Sequence, residues 1–217
     1  MTYTLIIGDR TFSSWSLRGW LLFDRFNIPV KTKVAGLYSD HFAQDLEPYA
    51  PARLVPIVET PEGVVIGETL AIAETLAERH PESGMWPADP AARAFARWIV
   101  SEMHAGFTDL RNECPMQLMH QYQDFTPSDR CLSDLRRLET LWAKARETWG
   151  QDGPWLFGEY SIADAFCAPV AARIAGYDLA VNDQARAYVS THLAEGSFRR
   201  WRAMGATYTY DPVPYAK

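Results

Sequence analysis

A proline-rich segment at residues 80–90 divides this chain into two parts with different patterns. Pro81, Pro87 and Pro90 fall within it, and proline cannot continue a helix because it lacks the backbone N–H. Before this segment, short β-type runs alternate with apolar residues at helical spacing; after it, the spacing is helical throughout. We therefore predict an α/β domain at 1–80, a linker at 81–90 and an all-helical domain at 91–217.

The first part predicts a small sheet with two helices. β-branched and apolar runs indicate strands at 3–7 and 30–34, and two more runs on either side of Pro61-Glu62-Gly63 indicate a hairpin at 56–59 and 64–66. Helical spacing of apolar residues covers 15–26 and 68–79. The expected element order is β-α-β-β-β-α.

The second part predicts five helices. They cover 91–113, 128–149, 161–175, 183–193 and 197–204, and an irregular tail follows at 208–217. Gly106 falls inside the first of them. Glycine in a helix interior costs about 1 kcal/mol relative to alanine, so it indicates close approach by a neighbour or a ligand.

Charge and residue counts exclude several classes of function. The formal net charge is −6 and the basic residues are scattered, which argues against a nucleic-acid partner because such proteins neutralise phosphates with clustered Lys and Arg. The apolar runs fall far short of the roughly 18 residues that a membrane helix needs, so no membrane partner is expected. The five histidines have no metal-ligand spacing, and we expect no metal. Three widely spaced cysteines fit a reducing cytoplasm better than a disulfide framework.

A capping box precedes the third predicted helix of the second part. In Ser161-Ile162-Ala163-Asp164, the serine begins the helix and the Asp164 carboxylate can accept from the backbone N–H of Ser161. Such a cap contributes on the order of 1 kcal/mol. The motif alone is common, but here it follows Pro154-Trp155-Leu156-Phe157-Gly158 and precedes an apolar run that ends at Pro169.

These residues and three motifs of the first part resemble the cytosolic glutathione S-transferase family, and its serine-type members in particular. The run 155–169 is similar to the buried capping-box helix of that family. The loop Ser13-Ser14-Trp15-Ser16-Leu17-Arg18 resembles the active-site loop, Val55-Pro56 resembles the cis-proline pair, and Glu68-Thr69 resembles the pair that opens the third helix. The resemblance covers the whole chain and implies a thioredoxin-like domain followed by an all-helical domain.

The resemblance implies that a serine at the start of the first helix activates the thiol of glutathione. Lowering a thiol pKa of about 8.5 by about 2 units requires roughly 2.7 kcal/mol of preferential anion stabilisation. A hydroxyl donor contributes about 1.5–3 kcal/mol and the helix N-terminus up to about 1 kcal/mol. Counting back from Arg18 by the family spacing favours Ser13 as the donor, with Ser14 as the alternative. Either serine can instead serve only as the helix cap.

The other motifs imply contacts along the rest of the tripeptide. The backbone of Val55, before a cis Pro56, is expected to pair with the cysteinyl unit, and Trp15 is expected to contact glutathione. Thr69 is expected to bind the γ-glutamyl carboxylate at a helix N-terminus, and Glu68 to pair with the γ-glutamyl amine. Leu54 stands where many relatives carry Lys or Gln, so Arg53 is a candidate for the glycyl carboxylate.

The electrophile is expected to bind between the two domains. Its candidate lining residues on the first long helix are Met103, His104, Phe107 and Arg111, although the apolar ones are also candidates for the core. The expected function is transfer of glutathione to a small apolar electrophile by a homodimer. Two alternatives stay open: a glutathione-dependent isomerase of the maleylacetoacetate type, whose loop carries Cys where this chain has Trp15, and a non-catalytic binding module.

Overall fold

The computed structural model describes residues 2–207 and residue 212. Its first part contains a four-stranded sheet made of β1 (Tyr3–Ile7), β2 (Val30–Val34), β3 (Ile57–Glu59) and β4 (Val65–Ile66). The spatial order is β2-β1-β3-β4; β1 is parallel to β2, and β3 is antiparallel to both β1 and β4. The predicted strands are confirmed to within one residue.

The described residues contain nine α-helices and two short 3-10 helices, Glu47–Tyr49 and Pro81–Ser83. The α-helices are α1 (Ser14–Asp24), α2 (Phe42–Leu46), α3 (Thr69–Arg79), α4 (Pro90–Ala105), α5 (Thr108–Glu113), α6 (Asp129–Trp149), α7 (Ile162–Gly176), α8 (Asp183–Ala194) and α9 (Gly196–Gly205). The short helix α2 was not predicted. Apart from residue 212, the predicted irregular tail at 208–217 lies outside the described residues. In residues 2–207, no helix is both long and apolar enough to cross a bilayer.

The prediction of one helix over 91–113 is wrong. The chain leaves the helix at Gly106, whose backbone is extended (φ −106°, ψ −165°), and Phe107 then takes a left-handed conformation (φ 59°) before α5 begins. A Cβ at position 106 would lie 2.9 Å from the carbonyl oxygen of Glu102. The glycine therefore permits the last turn of α4 to close tightly, which is a common way for a helix to end.

The helix α7 is buried along most of its length and packs against α1, α4 and α8. The capping box at its start is confirmed: the Asp164 carboxylate accepts from the backbone N–H of Ser161 at 2.8 Å. The same carboxylate accepts from Leu156 N–H at 3.2 Å and from the Tyr188 hydroxyl at 2.7 Å. Burial raises the pKa of Asp164, and these hydrogen bonds lower it.

The helix α1 lies against the loop that precedes β3. A Cβ at Gly19 would come within 2.8 Å of the Pro56 ring, so this position has no space for a larger side chain. The Val55–Pro56 peptide bond is cis, as the resemblance implies. The close approach places α1 directly beside the Val55–Pro56 loop.

Candidate active site

A cleft of about 1040 Å³ lies between the first part of the chain and α4, α5 and α7. On the side formed by the first part of the chain, the lining includes several residues predicted from the sequence: Ser13, Ser14, Trp15, Arg53, Val55 and Pro56. The N-terminus of α3 adds Glu68 and Thr69, and the helical part adds His104 and Arg111. The fold therefore brings most of the candidate residues to one site.

The two serines at the start of α1 have different hydrogen bonds. Ser13 is the N-cap: its hydroxyl oxygen accepts from Ser16 N–H at 3.3 Å, and its proton goes to the Ser16 hydroxyl at 2.8 Å. The Ser14 hydroxyl instead accepts from the Arg173 guanidinium at 3.4 Å. The Ser14 hydroxyl can therefore accept a hydrogen bond from a cation and donate its own proton to a different acceptor.

Three arginines meet at the helical side of the cleft. Arg111 and Arg173 line it, and Arg18 is buried beneath them. Two guanidiniums lie over the Trp15 ring, with Arg18 at 4.4 Å and Arg111 at 4.9 Å from its centroid. Burial lowers the pKa of Arg18 well below its usual value, and the charges of Arg111 and Arg173 lower it further. This concentration of positive charge favours an anion in the cleft.

Among the described residues, two nitrogen atoms of Arg18, Nε and Nη1, have no hydrogen-bond partner. Its guanidinium contacts ring faces instead, those of Trp15 and, at 5.3 Å, Phe166. Cation–π contacts of this kind stabilise a charge without neutralising it. Arg18 therefore adds a third guanidinium close to Arg111 and Arg173, held by aromatic rings rather than by an acidic partner among the described residues.

The N-terminus of α3 presents a second polar surface to the cleft. Glu68, the N-cap, has a left-handed backbone (φ 61°), which costs of order 1–3 kcal/mol for a residue other than glycine and is a feature of functional sites. The Thr69 hydroxyl oxygen is buried and has no hydrogen-bond partner among the described residues. Together with the backbone N–H groups of the helix N-terminus, it can bind a carboxylate.

Two candidate residues are not part of the cleft. Met103 and Phe107 were expected to line the electrophile pocket, but both are buried in the hydrophobic core. For Phe107 the physical reason is the end of α4 at Gly106, which turns it away from the helix face assumed in the prediction, whereas Met103 lies on the buried face of α4 itself. The residues of α4 that line the cleft are His104 and Ala105.

Sequence reasoning missed Arg173. It is 6% exposed, and its Nε donates to the Cys114 carbonyl at 2.8 Å. A signal was present, because Arg173 is the only basic residue in α7, a helix that is otherwise almost entirely apolar and small. A charged side chain in a buried helix needs a polar destination, and here that destination is the cleft.

The three cysteines lie outside the cleft lining. Cys114, Cys131 and Cys167 are all buried. Burial raises the pKa of Cys131 to about 11 and that of Cys167 to about 12, so these thiols are protonated at neutral pH. A reactive protein thiolate at the cleft is therefore not a feature of the described residues.

Comparison with known proteins agrees with this architecture. Residues 12–79 match the family model of the glutathione S-transferase N-terminal domain. A probable maleylacetoacetate isomerase of Caenorhabditis elegans is 35% identical over 112 residues, which cover 52% of this chain and 51% of the relative. The maleylacetoacetate isomerase of Rattus norvegicus is 28% identical over 133 residues, covering 60% and 58% respectively. The chain thus spans little more than half the length of the curated relatives it matches.

Solved structures share the fold over nearly the whole chain. A glutathione transferase homologue from Burkholderia with bound glutathione has a TM-score of 0.73 at 19% identity and covers 96% of this chain and 100% of its own. Glutathione transferase Omega 2S from Trametes versicolor has a TM-score of 0.71 at 20% identity and covers 95% and 96%. A thioredoxin-like sheet followed by a helical region is therefore confirmed, and residues 12–79 match the N-terminal domain of the glutathione S-transferase family.

Proposed function

We propose that this chain is a glutathione transferase that binds glutathione between the N-termini of α1 and α3 and activates its thiol. The observation that carries the proposal is the position of these two N-termini on one cleft, with Ser13 and Ser14 on α1 and Glu68 and Thr69 on α3. A tripeptide with an ammonium, two carboxylates and a thiol matches this distribution of acceptors and donors.

The γ-glutamyl end is assigned to α3. Its carboxylate accepts hydrogen bonds from the Thr69 hydroxyl and from the backbone N–H groups of the helix N-terminus. Its ammonium pairs with Glu68, whose side chain is 68% exposed in the cleft. The buried hydroxyl without a partner supports the assignment, because such a group is costly unless a ligand satisfies it. Val55 then pairs with the cysteinyl backbone, Trp15 contacts the peptide, and Arg53 takes the glycyl carboxylate.

Ser14 is our proposed donor to the sulfur, in place of Ser13. The proton of Ser13 already goes to Ser16 at 2.8 Å, whereas Ser14 accepts from Arg173. A hydroxyl that accepts from a guanidinium is a stronger donor, because hydrogen bonds in a chain polarise one another. The nearby charges of Arg173 and Arg111 add to the stabilisation of a thiolate.

Spectroscopic titration of bound glutathione tests this function. The ultraviolet absorbance of the thiolate, measured as a difference spectrum from pH 5 to 10, is expected to titrate about 2 pKa units below free glutathione, which corresponds to about 2.7 kcal/mol. Binding is measured separately by calorimetry. A bound thiol that ionises at the same pH as free glutathione contradicts activation, and binding without turnover of any electrophile supports the non-catalytic module instead.

A second candidate, a glutathione-dependent isomerase, is favoured by the three arginines. The sequence predicted a small apolar electrophile. However, Arg18, Arg111 and Arg173 make the side of the cleft near α5 and α7 cationic, which suits a substrate with carboxylates. The relatives named maleylacetoacetate isomerase support the same activity. In an isomerisation, glutathione adds to the substrate and is released again, so no conjugate accumulates.

Arg111→Gln distinguishes a carboxylate substrate from a neutral one. If Arg111 binds a carboxylate, the KM for maleylacetoacetate is expected to rise about tenfold, or about 1.4 kcal/mol, because a charge-assisted hydrogen bond is lost. The KM for 1-chloro-2,4-dinitrobenzene, which has no carboxylate, is expected to change much less. Arg111→Lys, which keeps the charge, serves as the matched control. Equal changes with both substrates contradict the assignment.

We further propose a homodimer with a detoxification role in the cytoplasm. Trp98 is 52% exposed on α4, under the guanidinium of Arg137, and an exposed aromatic side chain of this kind is typical of an interface. The odd number and wide spacing of the cysteines support a reducing compartment.

A further inference from the structure

His104 reaches from the helical part of the chain to the γ-glutamyl side of the cleft. Its Nε2 lies 3.5 Å from a carboxylate oxygen of Glu68, and the ring edge contacts Trp15 with centroids 5.1 Å apart. Its Nδ1 is buried and has no hydrogen-bond partner among the described residues. The imidazole therefore has one nitrogen enclosed by protein and the other directed at the residue proposed to bind the ligand's amine.

Burial favours the neutral form of His104 at pH 7. Burial lowers its pKa below the usual 6.5, Arg18 of α1 and Arg111 of α5 lower it further, and Glu68 at the start of α3 acts in the opposite direction. A neutral imidazole can support the Glu68 carboxylate without neutralising it. An imidazolium at 3.5 Å would instead form an ion pair with Glu68, because opposite charges attract at that distance.

We propose that His104 is a positioning residue for the γ-glutamyl ammonium of glutathione and acts through Glu68. This inference rests on the proposed function. The neutral imidazole limits the rotation of the Glu68 side chain, which is otherwise exposed, and so lowers the entropic cost of pairing it with the ammonium. Protonated His104 competes with the ammonium for the same carboxylate.

Two substitutions and two peptides test the proposal. The peptides are glutathione and its analogue without the α-amino group, 4-carboxybutanoyl-Cys-Gly. For His104→Leu at pH 7.5, we expect the Kd for glutathione to rise about five- to tenfold and the Kd for the analogue to change less than twofold. His104→Gln has an amide that can replace Nε2 as a donor, so it is expected to recover most of the affinity. Thermal unfolding of each variant verifies that it is folded.

The pH dependence gives an independent measurement. As the pH is lowered from 7.5, the ammonium of glutathione stays charged, while protonation of His104 increases. In the wild-type protein, the preference for glutathione over the analogue is therefore expected to fall as the pH falls. In His104→Gln the preference is expected to be constant over the same range.

The outcomes separate this inference from the proposed function. An equal loss of affinity for both peptides, or no loss for either, overturns the positioning role while leaving glutathione binding intact. A preference that falls with pH equally in wild type and His104→Gln also overturns it. If wild-type protein binds neither peptide, the proposed function fails, and this inference fails with it.

Discussion

Replacing Ser14 with alanine is expected to reduce kcat for glutathione conjugation by about 10- to 100-fold, with a small change in the Kd of glutathione. The lost hydrogen bond to a thiolate is worth about 1.5–3 kcal/mol, which corresponds to that range of rate. The pKa of the bound thiol is expected to rise by about 1–2 units for the same reason. Steady-state kinetics and the spectroscopic titration measure the two effects on the same variant.

Ser13→Ala is the matched control for this prediction. Ser13 caps α1 through Ser16 N–H, so its loss is expected to lower the free energy of unfolding by about 1 kcal/mol and to change kcat only a few-fold. Ser14→Thr keeps a hydroxyl and is expected to retain much of the rate. If Ser13→Ala loses the rate and Ser14→Ala does not, Ser13 is the donor, as the family spacing favoured, and our assignment is wrong.

Asp164→Ala is expected to lower the free energy of unfolding by about 3–5 kcal/mol. The Asp164 side chain is fully buried and accepts from Ser161, Leu156 and Tyr188. Its removal leaves buried donors without a partner, and each such donor costs about 1–3 kcal/mol. Urea denaturation followed by tryptophan fluorescence measures the change from the shift of the midpoint.

Asp164→Asn is the matched control because it keeps the size and one acceptor oxygen. It is expected to lose less stability than Asp164→Ala, since some of the donors remain satisfied. A loss below about 1 kcal/mol in the alanine variant would contradict the importance of this network. The result also concerns the cleft, because the same helix carries Arg173 at its other end.

Local patterns were sufficient for most of the first part of the chain. Sequence patterns predicted β2 at Val30–Val34. A strand this short can be predicted because the residues before and after it mark its two ends. The capping box at Ser161 was readable for a similar reason, since its hydrogen bonds join residues three positions apart. The short α2 was not, because a helix of five residues carries too little periodicity.

The second part shows where local patterns fail. The apolar spacing of 91–113 continues through Gly106, yet the chain leaves the helix there and Phe107 is buried in the core. Helical spacing states which residues share a face only while the helix continues. Met103 was predicted at the cleft for a different reason: it lies within α4, and spacing alone did not show that it belongs to the buried face with Ile99 and Val100.

The four strands, the capping box and ten of the residues that line the cleft could be predicted from the sequence, because these depend on neighbours along the chain or on motifs that can be recognised whole. Only the tertiary structure decided how the two serines differ and that Arg173 reaches one of them. Ser14 and Arg173 are 159 positions apart, and His104 meets Glu68 across the cleft. Contacts between distant segments depend on how the helices pack, and the spacing of residues along the chain does not determine that packing.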